Sequence, residues 1–232
     1  MLYLIGLGLD LKDISLKALE AIKKSSKVYL ENYTTTFPYK IEDLEKIIEK
    51  KVILADRQKI ENELNKLLTD ATQSDIAILI YGDFLAATTH ITILREAEKA
   101  KIKTETIHNN SIFNVISDTG LQLYKFGKTT SLPKWQDNYK PTSYMENIIK
   151  NLSINAHTLI LIDPKMSLKQ AIEQLEQSDK HDLFKDITLI VVSCLGTSKQ
   201  KIIRGKLKSL QNKKISEPFS IIVPSDLNFS EQ

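Results

Sequence analysis

Leu2-Tyr3-Leu4-Ile5-Gly6-Leu7-Gly8 is the stretch whose reading decides the fold. Leu2 to Leu7 is a short, β-prone apolar run, and it breaks at Gly6-Leu7-Gly8 as a buried first strand does when it ends in a tight turn. The periodicity then changes. Leu16, Leu19 and Ile22 recur at helical spacing between Ser15 and Ser25, with Ser15 placed as the N-cap. Working outward, the same alternation repeats: residues 28–30, 52–55, 76–81 and 104–108 read as strands, and 41–48, 60–71 and 88–100 as helices. Strands alternating with helices at this spacing mean βα units and a mostly parallel sheet. Past residue 112 the pattern differs. Residues 129–132, 158–162, 188–193, 202–207 and 219–223 are candidate strands, separated by only two clear helices, 144–151 and 168–177. The expectation is two α/β domains, 1–112 with a mostly parallel sheet and 113–232 with a mixed one.

Composition narrows the function. A chain of 232 residues, 42% of them hydrophobic, can bury a real core. No apolar run approaches the roughly 18 residues of a membrane helix. No basic segment precedes the apolar start, and Asp10, Lys12 and Asp13 follow it, so no signal peptide is expected. Cys194 is the only cysteine, which excludes an internal disulfide and fits a reducing cytoplasm. With 32 basic against 29 acidic residues the charge is too even for a nucleic-acid binder. Lys199, Lys201, Arg204, Lys206, Lys208, Lys213 and Lys214 form one local basic run. It reads as a solvated face, the alternative being a landing surface for an acidic or ribosome-associated partner.

The chemistry-bearing residues are sparse. His90, His108, His157 and His181 are scattered, and none has a metal-ligand spacing to Cys194 or to another histidine, so no metal site is expected. No nucleophile elbow, Walker loop or HExxH helix occurs, and no acid/base pair stands out. What remains sits at strand ends, where parallel α/β sheets bind ligands. Gly6-Leu7-Gly8-Leu9 ends the first strand, Gly82-Asp83 the fourth, and His108-Asn109-Asn110-Ser111-Ile112 follows the fifth. Gly6-x-Gly8 lacks the third glycine of the dinucleotide fingerprint, although Glu31 is placed for a ribose, so a nicotinamide oxidoreductase is a weak reading. Asp83 emerges after an apolar run, where a carboxylate is costly unless solvated, paired or facing a cation. It is either the N-cap of the next helix or the partner of a cationic ligand.

Several longer strings are more specific than any glycine pattern. They are LYLIGLGLD at the start, GDFLAATTH at 82–90, HNNSIF at 108–113, TGLQLYKFGK at 119–128, PTSYMENI at 141–148, HTLILID at 157–163 and IIVP at 221–224. In this order, over nearly the whole chain, they resemble the diphthine synthases, within the tetrapyrrole-methylase-like methyltransferases. The resemblance implies two α/β domains of the tetrapyrrole-methylase type, a cofactor cleft between them, and a cytoplasmic homodimer. It implies S-adenosyl-L-methionine as cofactor, S-adenosyl-L-homocysteine as product, and translation elongation factor 2 as protein substrate, with no membrane and no specific nucleic acid as partner. The implied reaction, a step of diphthamide biosynthesis, is successive methylation of the amino group on a histidine carrying an aminocarboxypropyl arm. Cofactor contacts carried over by position are Leu9, Asp83, Ala86, Ser111, Ile112, Ile162, Gly196 and Phe219, with Asp83 toward the cofactor's cationic portion and no catalytic acid or base. Where the family often has Pro-Gly-Asp-Pro this chain has Tyr81-Gly82-Asp83-Phe84, and Phe219 stands where histidine is common. The alternatives are a same-fold methyltransferase acting on a tetrapyrrole or ribosomal RNA, and an inactive cofactor-binding relative.

Overall fold

Each apolar run expected as a strand is one in the computed structural model, which describes residues 1–231. The chain divides into two compact units, the first spanning Met1–Val115 and the second beginning at Ile116. The first holds β1 (Leu2–Gly6), α1 (Leu16–Lys24), β2 (Lys27–Glu31), α2 (Ile41–Ile48), β3 (Ile53–Ala55), α3 (Leu64–Gln73), β4 (Ile76–Ile80), α4 (Ile91–Lys99), β5 (Thr104–Ile107) and the single turn α5 (Ile112–Val115). Its sheet runs β3-β2-β4-β1-β5 with every pairing parallel. Helices cover both faces, so β1 and β4 are buried throughout and read as unbroken apolar runs. Alternation still sorts their side chains. Leu2, Leu4, Ile76 and Ile78 pack with Leu67 of α3 and Ile93 of α4. Tyr3, Ile5, Ala77 and Leu79 pack with Ile22 of α1 and Leu44 of α2.

Two helices start later than expected. The stretch expected as one helix over 60–71 opens as a π-helical turn, Gln58–Asn62, whose closing bond runs from Glu63 N to Gln58 O at 2.9 Å. Glu63 leaves the helical region (φ −106°, ψ 18°), and α3 begins only at Leu64. Similarly, Thr88 and Thr89 precede α4 instead of joining it. Ala87 has a positive φ of 58°, and the Thr88 hydroxyl donates to the Phe84 carbonyl, so this segment is a turn.

The second unit holds β6 (Thr130–Leu132), α6 (Ser143–Ser153), β7 (Thr158–Ile162), α7 (Leu168–Ser178), β8 (Leu189–Ser193), β9 (Lys201–Gly205), the single turn α8 (Leu207–Leu210) and β10 (Phe219–Val223). Its sheet is mixed, in the order β6-β7-β10-β8-β9, with only β6 and β7 parallel. Leu132, Ile160, Val191 and Ile221 of the sheet face Tyr144 and Ile148 of α6 and Ile172 and Leu175 of α7. The expected strand over 202–207 ends at Gly205, and Leu207 turns inward to open α8. Part of the basic run has structural partners. The Arg204 guanidinium donates to Thr119 O at 2.6 Å, and the Lys206 ammonium to Asp186 O at 2.7 Å.

Beyond β10 the chain returns across the second unit and is fastened by one carboxylate. Glu231 accepts from the backbone N–H groups of Gln122 and Asn228, from His157 Nε2 and from Lys125 Nζ, each at 2.9 Å. His157 Nδ1 accepts from Ser225 N at 2.9 Å, so the ring is neutral with its proton on Nε2. The side chains of Glu231 and His157 are wholly buried. Burial alone would raise the Glu231 pKa. The Gln122 and Asn228 amides, with His157 and Lys125, hold it well below the usual carboxylate range instead. Burial lowers His157, against the pull of Glu231.

Both shifts make the fold acid-sensitive. Below the ordinary histidine value of 6.5 the unfolded chain takes up a proton that folded His157 refuses, so stability falls with pH. Below the ordinary glutamate value of 4.5 the same holds for Glu231. Glu231→Gln leaves the Lys125 ammonium without its counter-charge and should cost about 1–3 kcal/mol at neutral pH. In urea denaturation the gap between variant and wild type should narrow as pH falls below the glutamate value. Equal stability at pH 7 would show that the carboxylate is not the fastening.

Candidate functional site

Because β1 pairs in parallel with both β4 and β5, the carboxyl ends of these three strands lie side by side. Beyond the regular ladder β1 and β4 stay joined. Leu7 N donates to Ile80 O at 2.8 Å, Gly8 N to Gly82 O at 3.1 Å, and Gly82 N to Gly8 O at 2.9 Å. A Cβ at Gly6 would stand 2.7 Å from Gly82 O, and one at Gly8, whose φ is +74°, would stand 2.3 Å from Asp13 Cβ. The glycines read in the sequence are therefore required, but what approaches them is the protein's own backbone and Asp13. Gly82 differs. Its φ is also +74°, but a Cβ there would meet only ordinary contacts at 3.7–3.8 Å, from Asn110 O, Leu9 Cδ2 and Ser111 Cα. Residues from the three strand ends thus meet around Gly82 at van der Waals distance, a shallow cradle that a single methyl group would fill.

Asp83 is the polar centre of these strand ends. Its Oδ1 accepts from Leu85 N at 3.0 Å, and its Oδ2 accepts from Asn109 N at 3.1 Å and from His108 Nδ1 at 2.8 Å. It does not cap α4, whose N-cap is His90. Its side chain is 14% exposed while that of His108 is 61% exposed, so the imidazole forms the outer side of the pair. The His108 ring also lies against Phe84, at 4.8 Å between centroids. Asn109 locks the arrangement from beneath, its Nδ2 donating to Gly6 O at 3.1 Å and to Asp13 O at 2.9 Å. Asp13 in turn accepts Leu9 N at 2.9 Å and Asp10 N at 3.0 Å through Oδ2.

The expected contact residues fall into two sets. Leu9, Asp83, Ala86, Ser111 and Ile112 belong to the strand ends of the first unit. Leu9 is buried beside Gly82, and Ala86 N closes the loop onto Asp83 O at 3.0 Å. Ser111 N donates to Asn114 Oδ1 at 2.7 Å, and the Ser111 hydroxyl receives Phe113 N at 3.3 Å. Ile112, half-buried, opens α5. Apolar side chains around one carboxylate and one hydroxyl suit an amphipathic cofactor.

Ile162, Gly196 and Phe219 lie in the second unit. β7 and β8 are both antiparallel to β10, so their carboxyl ends meet its amino end. Ser220 pairs with Leu161, which sets Phe219 opposite Ile162, and Phe219 also pairs with Ser193. Gly196 follows in the turn after β8, with φ +79° and its N–H held by Gln200 Oε1 at 2.8 Å. Phe219 is packed into the core beside Val191 and Leu207, which leaves its backbone as the part able to meet a ligand.

The sequence placed His108 and Asn109 beyond a strand end without giving either a role, and it passed over Asp13. The first two stood inside the HNNSIF string, where a histidine and an asparagine beyond a strand end were the available signal. Nothing in sequence spacing marks Asp13. Among the described residues, no group of three His, Cys, Asp or Glu side chains could hold a metal ion.

Comparison with known proteins agrees with this fold. Residues 1–211 match the sequence profile of the Tetrapyrrole (Corrin/Porphyrin) Methylases. The chain is 37% identical to the diphthine methyl ester synthase of Schizosaccharomyces pombe, with 96% of this chain and 88% of that protein aligned. It is 38% identical to the diphthine methyl ester synthase of Dictyostelium discoideum, over 100% of this chain and 96% of that one. A diphthine synthase crystal structure superposes with a TM-score of 0.91 at 32% identity, covering 99% of this chain and 92% of the other. With fold and matches along nearly its whole length in agreement, the chain belongs to the tetrapyrrole methylase family and, within it, to the diphthine synthases.

Proposed function

We propose that this methyltransferase moves methyl groups from S-adenosyl-L-methionine onto the aminocarboxypropyl arm of a modified histidine in translation elongation factor 2, a step of diphthamide biosynthesis. The observation that carries the reading is the cradle at Gly82, bordered by Leu9, Asn110 and Ser111 and clasped by Asp83. Leu9, Asp83, Ala86, Ser111 and Ile112 in one unit, and Ile162, Gly196 and Phe219 in the other, are the residues proposed to contact the cofactor. When bound, that cofactor supplies a methyl group on a sulfonium, already activated by a neutral leaving group. The protein then has to hold nucleophile and methyl in line, which can account for effective molarities of roughly 10⁵ M or more. No acid/base pair is required, and none is assigned. The same reading makes the enzyme a cytoplasmic homodimer, and sedimentation as a monomer at working concentration would count against the dimer.

The relatives are named for a methyl ester, which extends the expected chemistry. The arm carries a carboxylate as well as an amino group, so the proposed products include an oxygen-bound methyl beside the nitrogen-bound ones. The two acceptors differ in protonation. An α-amino group titrates at roughly 7.7–8.0 and an α-carboxyl at roughly 3.3–3.7 in model peptides. N-methylation at subsaturating substrate should therefore rise with pH and level off, whereas O-methylation should be nearly flat from about pH 6 to 9. Labelled methyl on elongation factor 2 carrying the arm, separated into a fraction released as methanol by mild base and a fraction retained, reads both. Absence of transfer to the modified factor, or equal transfer to the unmodified one, would sink the reading.

Asp83 can be tested apart from the acceptor. Asp83→Asn removes the charge and turns an amide NH₂ toward the N–H of either Leu85 or Asn109. Stability should fall by about 1–3 kcal/mol. If the carboxylate also meets the cofactor, S-adenosylmethionine should bind about tenfold more weakly by calorimetry, the effect of one charge-assisted hydrogen bond. Lower stability with unchanged affinity would make Asp83 a clasp alone.

A further inference from the structure

One group of side chains at the strand ends has no part in the site so far. Residues 32–40 leave the carboxyl end of β2 and bring Phe37 and Tyr39 onto Tyr81, which immediately precedes Gly82. The three rings form a triangle. Centroids are 5.7 Å apart for Phe37–Tyr39, 5.7 Å for Phe37–Tyr81 and 6.2 Å for Tyr39–Tyr81, and the Phe37 and Tyr81 planes stand at 86°. The Tyr81 hydroxyl donates to Leu9 O at 3.1 Å, which ties the triangle to the same strand end as the cradle. Phe37 and Tyr39 pack against the core around Leu7 and Ile107, yet all three rings remain only half-buried.

The charges that act on the Tyr39 hydroxyl are both negative. Burial first, and then the carboxylates of Asp10 and Asp13, push the Tyr39 hydroxyl above its ordinary range. Asp13 receives only backbone N–H groups and Asp10 the N–H of Lys12; neither forms an ion pair among the described residues. Aromatic faces carry negative electrostatic potential and attract cations within about 6 Å of the ring centre, quaternary ammonium groups above all. A quaternary group has no N–H to donate, so ring faces and nearby carboxylates are the recognition left to it.

We propose that Phe37, Tyr39 and Tyr81 form a seat for a methylated onium cation, either the acceptor arm's ammonium as it gains methyl groups or the donor's sulfonium. The proposal rests on the methyltransferase reading above. In each N-transfer an N–C bond forms while an S–C bond breaks. The electron pair of the broken bond leaves with sulfur as a neutral thioether, and the positive charge passes to nitrogen. Until the nitrogen is quaternary, its proton goes to water before the next round. A seat that favours the cation over a neutral group of equal shape would hold the arm between rounds.

Choline and its neutral isostere, in which a quaternary carbon replaces the nitrogen, are the probes, added to the full chain labelled with fluorotyrosine. Choline should shift the Tyr39 and Tyr81 fluorine resonances saturably while the isostere leaves them in place. Tyr39→Leu should weaken choline by at least about fivefold, and Tyr39→Phe, which keeps the ring, should not. Two further arms name the source of the cation. Choline binding that persists with saturating S-adenosylmethionine assigns the seat to the ammonium. Binding blocked by S-adenosylmethionine but not by S-adenosylhomocysteine assigns it to the sulfonium. Equal shifts from choline and isostere, or none from either, would overturn the seat. Since this measurement needs no turnover, failure of methyl transfer would count against the function while leaving the choline result to decide the seat.

Discussion

The joining of β1 and β4 beyond their carboxyl ends is the constraint on which the first unit's site depends. Two backbone hydrogen bonds between Gly8 and Gly82 form an antiparallel bridge past the ends of the two strands, and the carbonyl of Gly82 comes too close to residue 6 for any side chain there. That closeness sets the positions of Leu9 on one side and Asp83 on the other. Asn109 then closes the gap from the third strand end, reaching Gly6 O and Asp13 O with one amide. Each residue proposed to touch the cofactor here is placed by backbone bonds or by a side chain whose own partners are fixed. Displacing one of these glycines would move all of them.

This rigidity suits the proposed chemistry. A methyl on a sulfonium needs no proton delivered and no leaving group stabilised, so acceleration comes chiefly from holding two reactants in line. Asp83 illustrates the division of labour. Both of its oxygens are occupied by Leu85, Asn109 and His108, an arrangement that fixes two loops against each other before any ligand arrives. Its charge is compensated locally by hydrogen bonds and still projects toward the strand ends, where His108 forms the outward-facing edge.

Most of the fold was legible because buried parallel strands with helices on both faces must be apolar along their whole length. Ile76–Ile80 could scarcely be read otherwise. The mixed sheet was legible for a second reason, the scarcity of helices between its strands. What escaped was local. The π-helical turn at Gln58–Asn62 and the late start of α4 turn on one residue each, Glu63 and Ala87, whose backbone conformations no propensity announces. At the site, Asp83 and the glycines were legible as strand-end residues. Asp13 was not, because its role is to receive backbone N–H groups of a loop whose path only the fold determines.

The strings most diagnostic of the family are not all strings that do chemistry. Lys125, inside TGLQLYKFGK, and His157, which opens HTLILID, both end on the buried carboxylate of Glu231. Phe126 of the first string also forms a bridge with His157 and packs against its ring at 5.3 Å. A lysine, a histidine and a glutamate spread along the chain would pass, on residue type alone, for a proton-transfer group. Their geometry argues otherwise. His157 spends Nδ1 on Ser225 and Nε2 on Glu231, and the carboxylate is filled by four donors, so no lone pair or proton is left for a reactant. Burial that complete is what a structural clasp requires and what a catalyst, which must meet its substrate, cannot have. Specificity of a motif therefore measures how tightly a fold constrains a position, and only the accessibility of its atoms tells whether that constraint serves a reaction.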